Sequence, residues 1–326
     1  FTATPFANIF IDPETETQML GGDLFPRDYI YALEPPTNYI GPATIFDENA
    51  AGNVLRDIED ADAIFPHGHK ASLVVSELPE SLLEALRCFV LTNALRDLRG
   101  EGGTHRSMLV NISRFTDVQM QLERLADERL RAMQNDIRNY SRLPSVEALR
   151  NPTIAVLQAT WDREFRDAGF SWEDVQVALR DAALPIVVRA VNQRTGLAAL
   201  DYAANREGGL RVVAVGGLSL SRGLTLEGLS TSYFFRNSQM YDTLLQMGRW
   251  FGYRDSYDDL CRLWLTPEAQ HWYSHITAAT AELRAEIRRM RNQNLTPREF
   301  GLKVRAHPDS LIVTARNKMR SAKTVD

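Results

Sequence analysis

Strand patterns and helix patterns alternate along this chain, and that alternation restricts it to layered α/β folds. Met108–Ile112, Ile186–Ala190, Arg211–Val215, Leu229–Phe235 and Asp259–Leu265 read as strands. Between them lie helix patterns. Over Leu78–Leu98, apolar residues recur at Leu82, Leu83, Leu86, Phe89, Val90 and Leu95, close to a 3.6 period. Asp117–Asn135, two pieces within 144–182, Ser238–Gln246 and Pro267–Met290 read the same way. Asn151-Pro152 opens one of the two pieces and Ser171-Trp172-Glu173-Asp174 the other, with acidic residues in its first turn. Strands separated by helices favour a parallel sheet with helices packed on it. Three weaker patterns are a strand over Asp28–Leu33, a short acidic helix over 49–63 and a late strand over 309–316.

A chain of 326 residues, 44% hydrophobic and 24% charged, has room for one large or two medium domains. No apolar stretch approaches the ~18–20 residues that a membrane span needs, and no signal-peptide pattern opens the chain. Cys88 and Cys261 stand far apart in apolar settings, which fits a reducing, cytoplasmic location.

The densest chemistry lies in 209–254. The apolar run Val212–Val215 ends in Gly216-Gly217, and a loop with Ser219, Ser221, Arg222, Gly223 and Thr225 follows. A second apolar run and a helix then close on Gln246, Gly248 and Arg249, with Arg254 five residues further on. Guanidinium groups meet phosphate oxygens in a bidentate fork, and glycines let a backbone approach an anion closely. This pattern points to phosphate handling.

On these residues the chain resembles the Z1 domain, a helicase-like module of bacterial restriction and defence NTPases. SRGLTLEGL is similar to motif V of superfamily 2 helicases, and QMGRWFGYR to their motif VI with a longer spacer. The N-terminal Phe1-Thr2-Ala3-Thr4 resembles motif III, and Ser107–Phe115 the strand that opens a second lobe. The resemblance implies a RecA-like second lobe over 106–266 with a helical insertion near 116–182. Residues 1–105 would be the interlobe connection and decoration, and 267–326 a basic helical extension. It implies Arg249 and Arg254 as candidate arginine fingers with Gln246 beside them. Arg222, Gly223, Thr225 and Gly248 would sit at the nucleotide, and Ser219, Ser221, Thr2, Thr4 and Arg114 on nucleic-acid backbone. Thr225 departs from the family pattern, which often places an aspartate there.

The same resemblance implies ATP and Mg2+ as cofactors, double-stranded DNA as partner, and a companion nuclease subunit. No Gly-x-x-x-x-Gly-Lys-Ser/Thr loop exists in the sequence. The triphosphate and magnesium are therefore expected on a first lobe upstream of Phe1. No nuclease constellation stands out within the chain.

Net charge is -5, which argues against a general polyanion binder. Charge is uneven, however: eleven basic residues face three acidic ones over 284–323, a local net of +8. Arg288, Arg289 and Arg291 are the candidate phosphate contacts in that window, against the plainer reading of a solvated helix face. His67, His69 and His105 lack zinc-ligand spacing, and His271-Trp272-Tyr273-Ser274-His275 lacks the glutamate of a zinc-protease helix, so no metal site is expected. Trp250, Phe251 and Tyr253 read as an aromatic cluster, either core or base-stacking. Two functions from different classes remain open: one lobe of a DNA-dependent motor, or a non-catalytic DNA- or protein-binding module with a helicase-derived fold.

Overall fold

Six strands pair in parallel throughout: β1 (Leu55–Asp57), β2 (Arg106–Asn111), β3 (Val187–Val191), β4 (Arg211–Gly216), β5 (Leu229–Phe234) and β6 (Arg262–Leu265), in the spatial order β1-β6-β5-β2-β4-β3. The computed structural model describes residues 26, 28–46, 54–192, 194–217, 220, 225–235 and 241–300. In chain order the helices are α1 (Pro42–Phe46), α2 (Glu80–Leu98), α3 (Thr116–Tyr140), α4 (Ser145–Ala148), α5 (Pro152–Glu164), α6 (Trp172–Ala183), α7 (Tyr241–Met247), α8 (Pro267–Asn292) and α9 (Pro297–Phe300). The chain divides into a sheet unit, Ala51–Arg236 with Gly252–Pro267, and a second unit of Phe1–Ala50, Asn237–Phe251 and Glu268–Asp326.

In the sheet unit, β2, β4, β5 and β6 are buried at every position. Side chains alternate between the two faces of a strand. Met108, Val110, Val213, Val215 and Tyr233 pack with α2, α3, α5 and α6, whereas Leu109, Val212 and Ala214 pack with Leu200, Tyr202, Leu210, Leu220 and Leu226. Helix α2 buries side chains around its whole circumference, from Leu82 to Arg96. Such a helix belongs in a core. The insertion α3–α6 lies between β2 and β3 as the sequence implied. Its helix starts are fixed locally. Asn151 accepts hydrogen bonds from the Thr153 and Ile154 amides at 2.9 and 3.2 Å, and Ser171 and Asp174 form a reciprocal capping box.

Three expectations change. Residues 55–57, read as part of an acidic helix, form the edge strand β1, in register with Leu263–Leu265. With α2 they belong to the sheet unit, so that unit begins well before residue 106. Asp28–Leu33 is irregular chain instead of a strand, and Tyr29, Tyr31 and Leu33 are exposed. Asp258–Leu260 is a 3-10 turn ahead of β6, because Asp259 turns out to meet Arg99 at 2.6 Å. The expected strand over 309–316 lies outside the described residues.

In the second unit, α8 buries Ala269, Trp272, Tyr273, Ile276, Ala279, Leu283, Ile287 and Met290, a stripe at three- and four-residue spacing. Tyr273 is the centre of an aromatic group. Its ring stacks on Phe46 at 5.0 Å and meets Trp250 edge-on at 5.4 Å, while its hydroxyl donates to the Leu244 carbonyl at 2.7 Å.

Candidate functional site

The chain order of the strands creates a switch point. Strand β4 lies on one side of β2 and β5 on the other, so the connections run in opposite directions from the sheet centre. In open parallel sheets, ligands bind outside the carboxyl ends of the strands at such a point.

At that edge β2 ends in Asn111 and passes through Ile112–Phe115 into α3, while β4 ends at Gly216 and continues through Gly217. A Cβ on Gly217 would stand 2.7 Å from Gln119 Nε2 and 3.0 Å from the Ser113 carbonyl oxygen. Only glycine admits so close an approach of the two loops. Gln119 Nε2 donates to that same carbonyl at 2.8 Å. Ser113 Oγ accepts from the Phe115 amide at 3.1 Å and lies 2.9 Å from His69 Nε2. His69 Nδ1 lies 3.2 Å from the Pro66 carbonyl, which can only accept. Nδ1 therefore carries the proton in the neutral ring, and Ser113 Oγ donates to Nε2. The ring sits between Phe65 and Phe115. The buried side-chain oxygens of Asn111 and Gln119 have no donor among the described residues, and an unmet buried acceptor is costly.

Positive charge stands around these groups. Arg114 is exposed, its guanidinium carbon 4.8 Å from the centroid of the Phe115 ring. Arg194, after β3, pairs with Asp117 in the first turn of α3 at 2.9 Å, both well exposed. Sequence reasoning singled out Arg114 and missed Arg194, Asn111 and Gln119. It weighed His69 only as a metal ligand. No spacing rule brings His69 to Ser113, since a turn at Pro66 and the sheet do so together.

Ser219, Ser221, Arg222 and Gly223 of the motif V-like loop, and Thr2 and Thr4 of the N-terminal segment, lie outside the described residues. Thr225 is exposed just before β5.

In the second unit Gln246 and Arg249 are half-buried at and just beyond the end of α7. Burial lowers the Arg249 guanidinium below its ordinary proton affinity. Gly248 is a packing residue: a Cβ there would strike the ring of Phe251. Trp250 and Phe251 belong to the aromatic group around Tyr273. Tyr253 is 52% exposed. Arg254, in the sheet unit, donates from Nη1 to the Tyr253 carbonyl at 2.7 Å, and its charge opposes the upward push that burial gives Tyr257. Arg288 and Arg289 meet Glu34 and Glu286 at 2.5 and 2.8 Å, and Arg291 lies over Tyr31.

A family model for the Z1 domain matches residues 81–311. The chain belongs to the Z1 domain family. No curated protein and no solved structure matches it. The Z1 span takes in β2–β6 and α3–α9, including SRGLTLEGL and QMGRWFGYR. It leaves out β1, His69 and the segment before α1.

Among the described residues, no group of three or more His, Cys, Asp or Glu side chains gathers to hold a metal. Among the same residues, no helix is long and apolar enough to cross a membrane. Burial pushes the Cys88 thiol far up and Cys261 up to about 11, so neither is poised as a thiolate nucleophile.

Proposed function

We propose that this Z1 chain is the second lobe of an ATP-dependent DNA helicase- or translocase-like NTPase in a restriction or phage-defence system. The observation that carries this reading is the switch point, where Gly217 presses the start of the motif V-like loop onto the Ser113–Arg114 turn at the carboxyl edge of a parallel sheet. A strand-end loop with close backbone approach, flanked by Arg114 and Arg194, suits phosphate oxygens of a nucleotide or a DNA strand.

With no P-loop sequence in the chain, the triphosphate and Mg2+ would be held by a partner first lobe. Bound ATP would supply the reacting phosphoryl group. The residues here would supply positive charge beside it. Arg249, just beyond α7, follows Gln246 and Gly248 in the QMGRWFGYR run and is taken as the finger, with Arg254 as the alternative. Gly248 lets Phe251 fold under that segment and so fixes where Arg249 leaves the helix. A companion nuclease would do the cutting.

The test is DNA-stimulated ATP turnover by the motor assembled with its first lobe. Arg249→Ala should lower turnover by about 10³-fold or more, as loss of an arginine finger does, and leave nucleotide binding intact. Unchanged turnover in Arg249→Ala removes the arginine from the site, and with it the motor assignment.

A further inference from the structure

Ahead of α1 the chain carries a row of large side chains that face water. Tyr29, Tyr31 and Leu33 are 78%, 58% and 70% exposed, while Ile30 and Ala32 between them are half-buried. Tyr29, Tyr31 and Leu33 thus lie on the outward side of this irregular stretch. The row lies along α8 within the same unit. Arg291 places its guanidinium carbon 4.8 Å from the centroid of the Tyr31 ring, and Arg288 Nη1 meets Glu34 Oε1 at 2.5 Å. Arg284, Arg288 and Arg291 follow one another at four- and three-residue spacing, so they form one row on the helix.

We infer that this surface binds single-stranded nucleic acid, with bases stacked on Tyr29 and Tyr31 and phosphates held by the arginine row. The inference deepens the nucleic-acid part of the proposed function and rests on it. It names an unpaired strand where the family resemblance implied a duplex.

Three physical points favour that partner. First, Tyr29 and Tyr31 can stack only on rings whose faces are free. Bases in a duplex are about 3.4 Å apart along a strand with both faces covered, so only an unstacked strand can offer successive rings to Tyr29 and Tyr31. Second, aromatic platforms beside a basic groove are the usual means of holding single strands without sequence preference. Third, Arg288 is available to phosphate. The Arg288–Glu34 pair is 53% and 63% exposed at its two side chains, and exposed pairs of this kind contribute little, so a phosphate can displace the carboxylate. A protein partner would also use exposed tyrosines, but the arginine row favours a polyanion.

The experiment is fluorescence anisotropy with the full chain, a labelled oligothymidylate and a duplex of the same length, each at two salt concentrations. The wild type should bind the single strand more tightly. Tyr29→Ala/Tyr31→Ala should weaken single-strand binding tenfold or more while leaving duplex binding and the salt slope unchanged. Arg288→Glu/Arg291→Glu should weaken both and flatten the salt slope by about two phosphate contacts. All four side chains are exposed, so circular dichroism should show the variants folded. Single-strand affinity unaltered by the tyrosine changes overturns the proposal, as does a preference for duplex. Absence of binding to either oligonucleotide also overturns it and leaves the row to a protein partner. The motor reading is judged separately: turnover lost in Arg249→Ala with the tyrosines inert keeps the motor and removes the platform, and the reverse keeps the platform alone.

Discussion

Replacing Glu164 with Gln removes one negative charge from a place where three arginines converge, Arg56, Arg262 and the more exposed Arg163 at 3.2 Å. Glu164 ends α5 and its side chain is 1% exposed. Arg56 Nη2, from β1, meets Oε2 at 2.5 Å, and Arg262 Nε, from β6, meets the same oxygen at 2.9 Å. Burial alone would raise the carboxyl group, but the hydrogen bonds and charges of Arg56 and Arg262 outweigh it and hold it at about 2, against an ordinary 4.5. At about 1.4 kcal/mol per tenfold change in proton affinity, that gap is worth about 3 kcal/mol of folding stability.

The sign follows from linkage. A carboxyl depressed in the folded state contributes fully above its unfolded value of 4.5 and loses the contribution as pH falls toward about 2. Glu164→Gln should therefore cost about 3 kcal/mol at pH 7, since Arg262 stays buried and loses its counterion. Near pH 3 about 2 kcal/mol of that difference should have vanished, because the carboxyl is protonated in the unfolded chain there while the folded one is still largely ionised. Urea denaturation of both proteins at pH 7, 5 and 3 measures it, and the difference cancels every other carboxylate. A penalty that stays constant across the range would show that the Glu164 charge is not what links α5 to β1 and β6.

Two further substitutions probe packing at opposite ends of the sheet. Asp97→Ala leaves Arg106, fully buried, and Arg211 without the carboxylate they share at 2.7 and 2.8 Å; a loss of about 3–5 kcal/mol in chemical denaturation is expected, and a cost below about 1 kcal/mol would contradict it. Gly217→Ala should cost about 1–3 kcal/mol through crowding, and Gln119→Ala in the same chain should recover part of it, because Gln119 is the side chain in the way. Strictly additive costs in that double-mutant cycle would mean that the two loops do not touch.

What the sequence disclosed was what local chemistry decides. The apolar run Val212–Val215 and the Met108 strand are buried on both faces, so each reads as a strand without help from its neighbours. Asn151 and Ser171 cap their helices with bonds two or three residues away. The failures all depend on distant partners. Leu55–Asp57 is too short to carry a period, and it becomes a strand because Leu263–Leu265 lies ready to pair with it. Tyr29–Leu33 has strand composition but lacks strand geometry. At the candidate site, motif residues and glycines were legible by type. His69 and Arg194 were not, because only the folded chain brings them to the Ser113–Arg114 turn or to α3.

The distribution of arginines argues for which edge of the sheet is functional. Strands β2, β4 and β6 each begin with an arginine, Arg106, Arg211 and Arg262. Each of the three is at most 8% exposed and bonded to Asp97 or Glu164. Arg96 and Arg99 at the end of α2 are likewise held, by Glu101 and Asp259. The buried four, Arg96, Arg106, Arg211 and Arg262, cannot turn to a phosphate without leaving a buried charge uncompensated, a cost of about 3–5 kcal/mol. These four arginines are therefore spent on architecture, although in the sequence they look no different from the rest. At the carboxyl edge the balance reverses. Arg114 lies over an aromatic ring, and Arg194 is held only by an exposed pair that is worth about 0–1 kcal/mol. Charge that can change partners at so small a cost is what a site binding and releasing phosphate requires, and in the sheet unit it gathers where the chain reverses direction about β2.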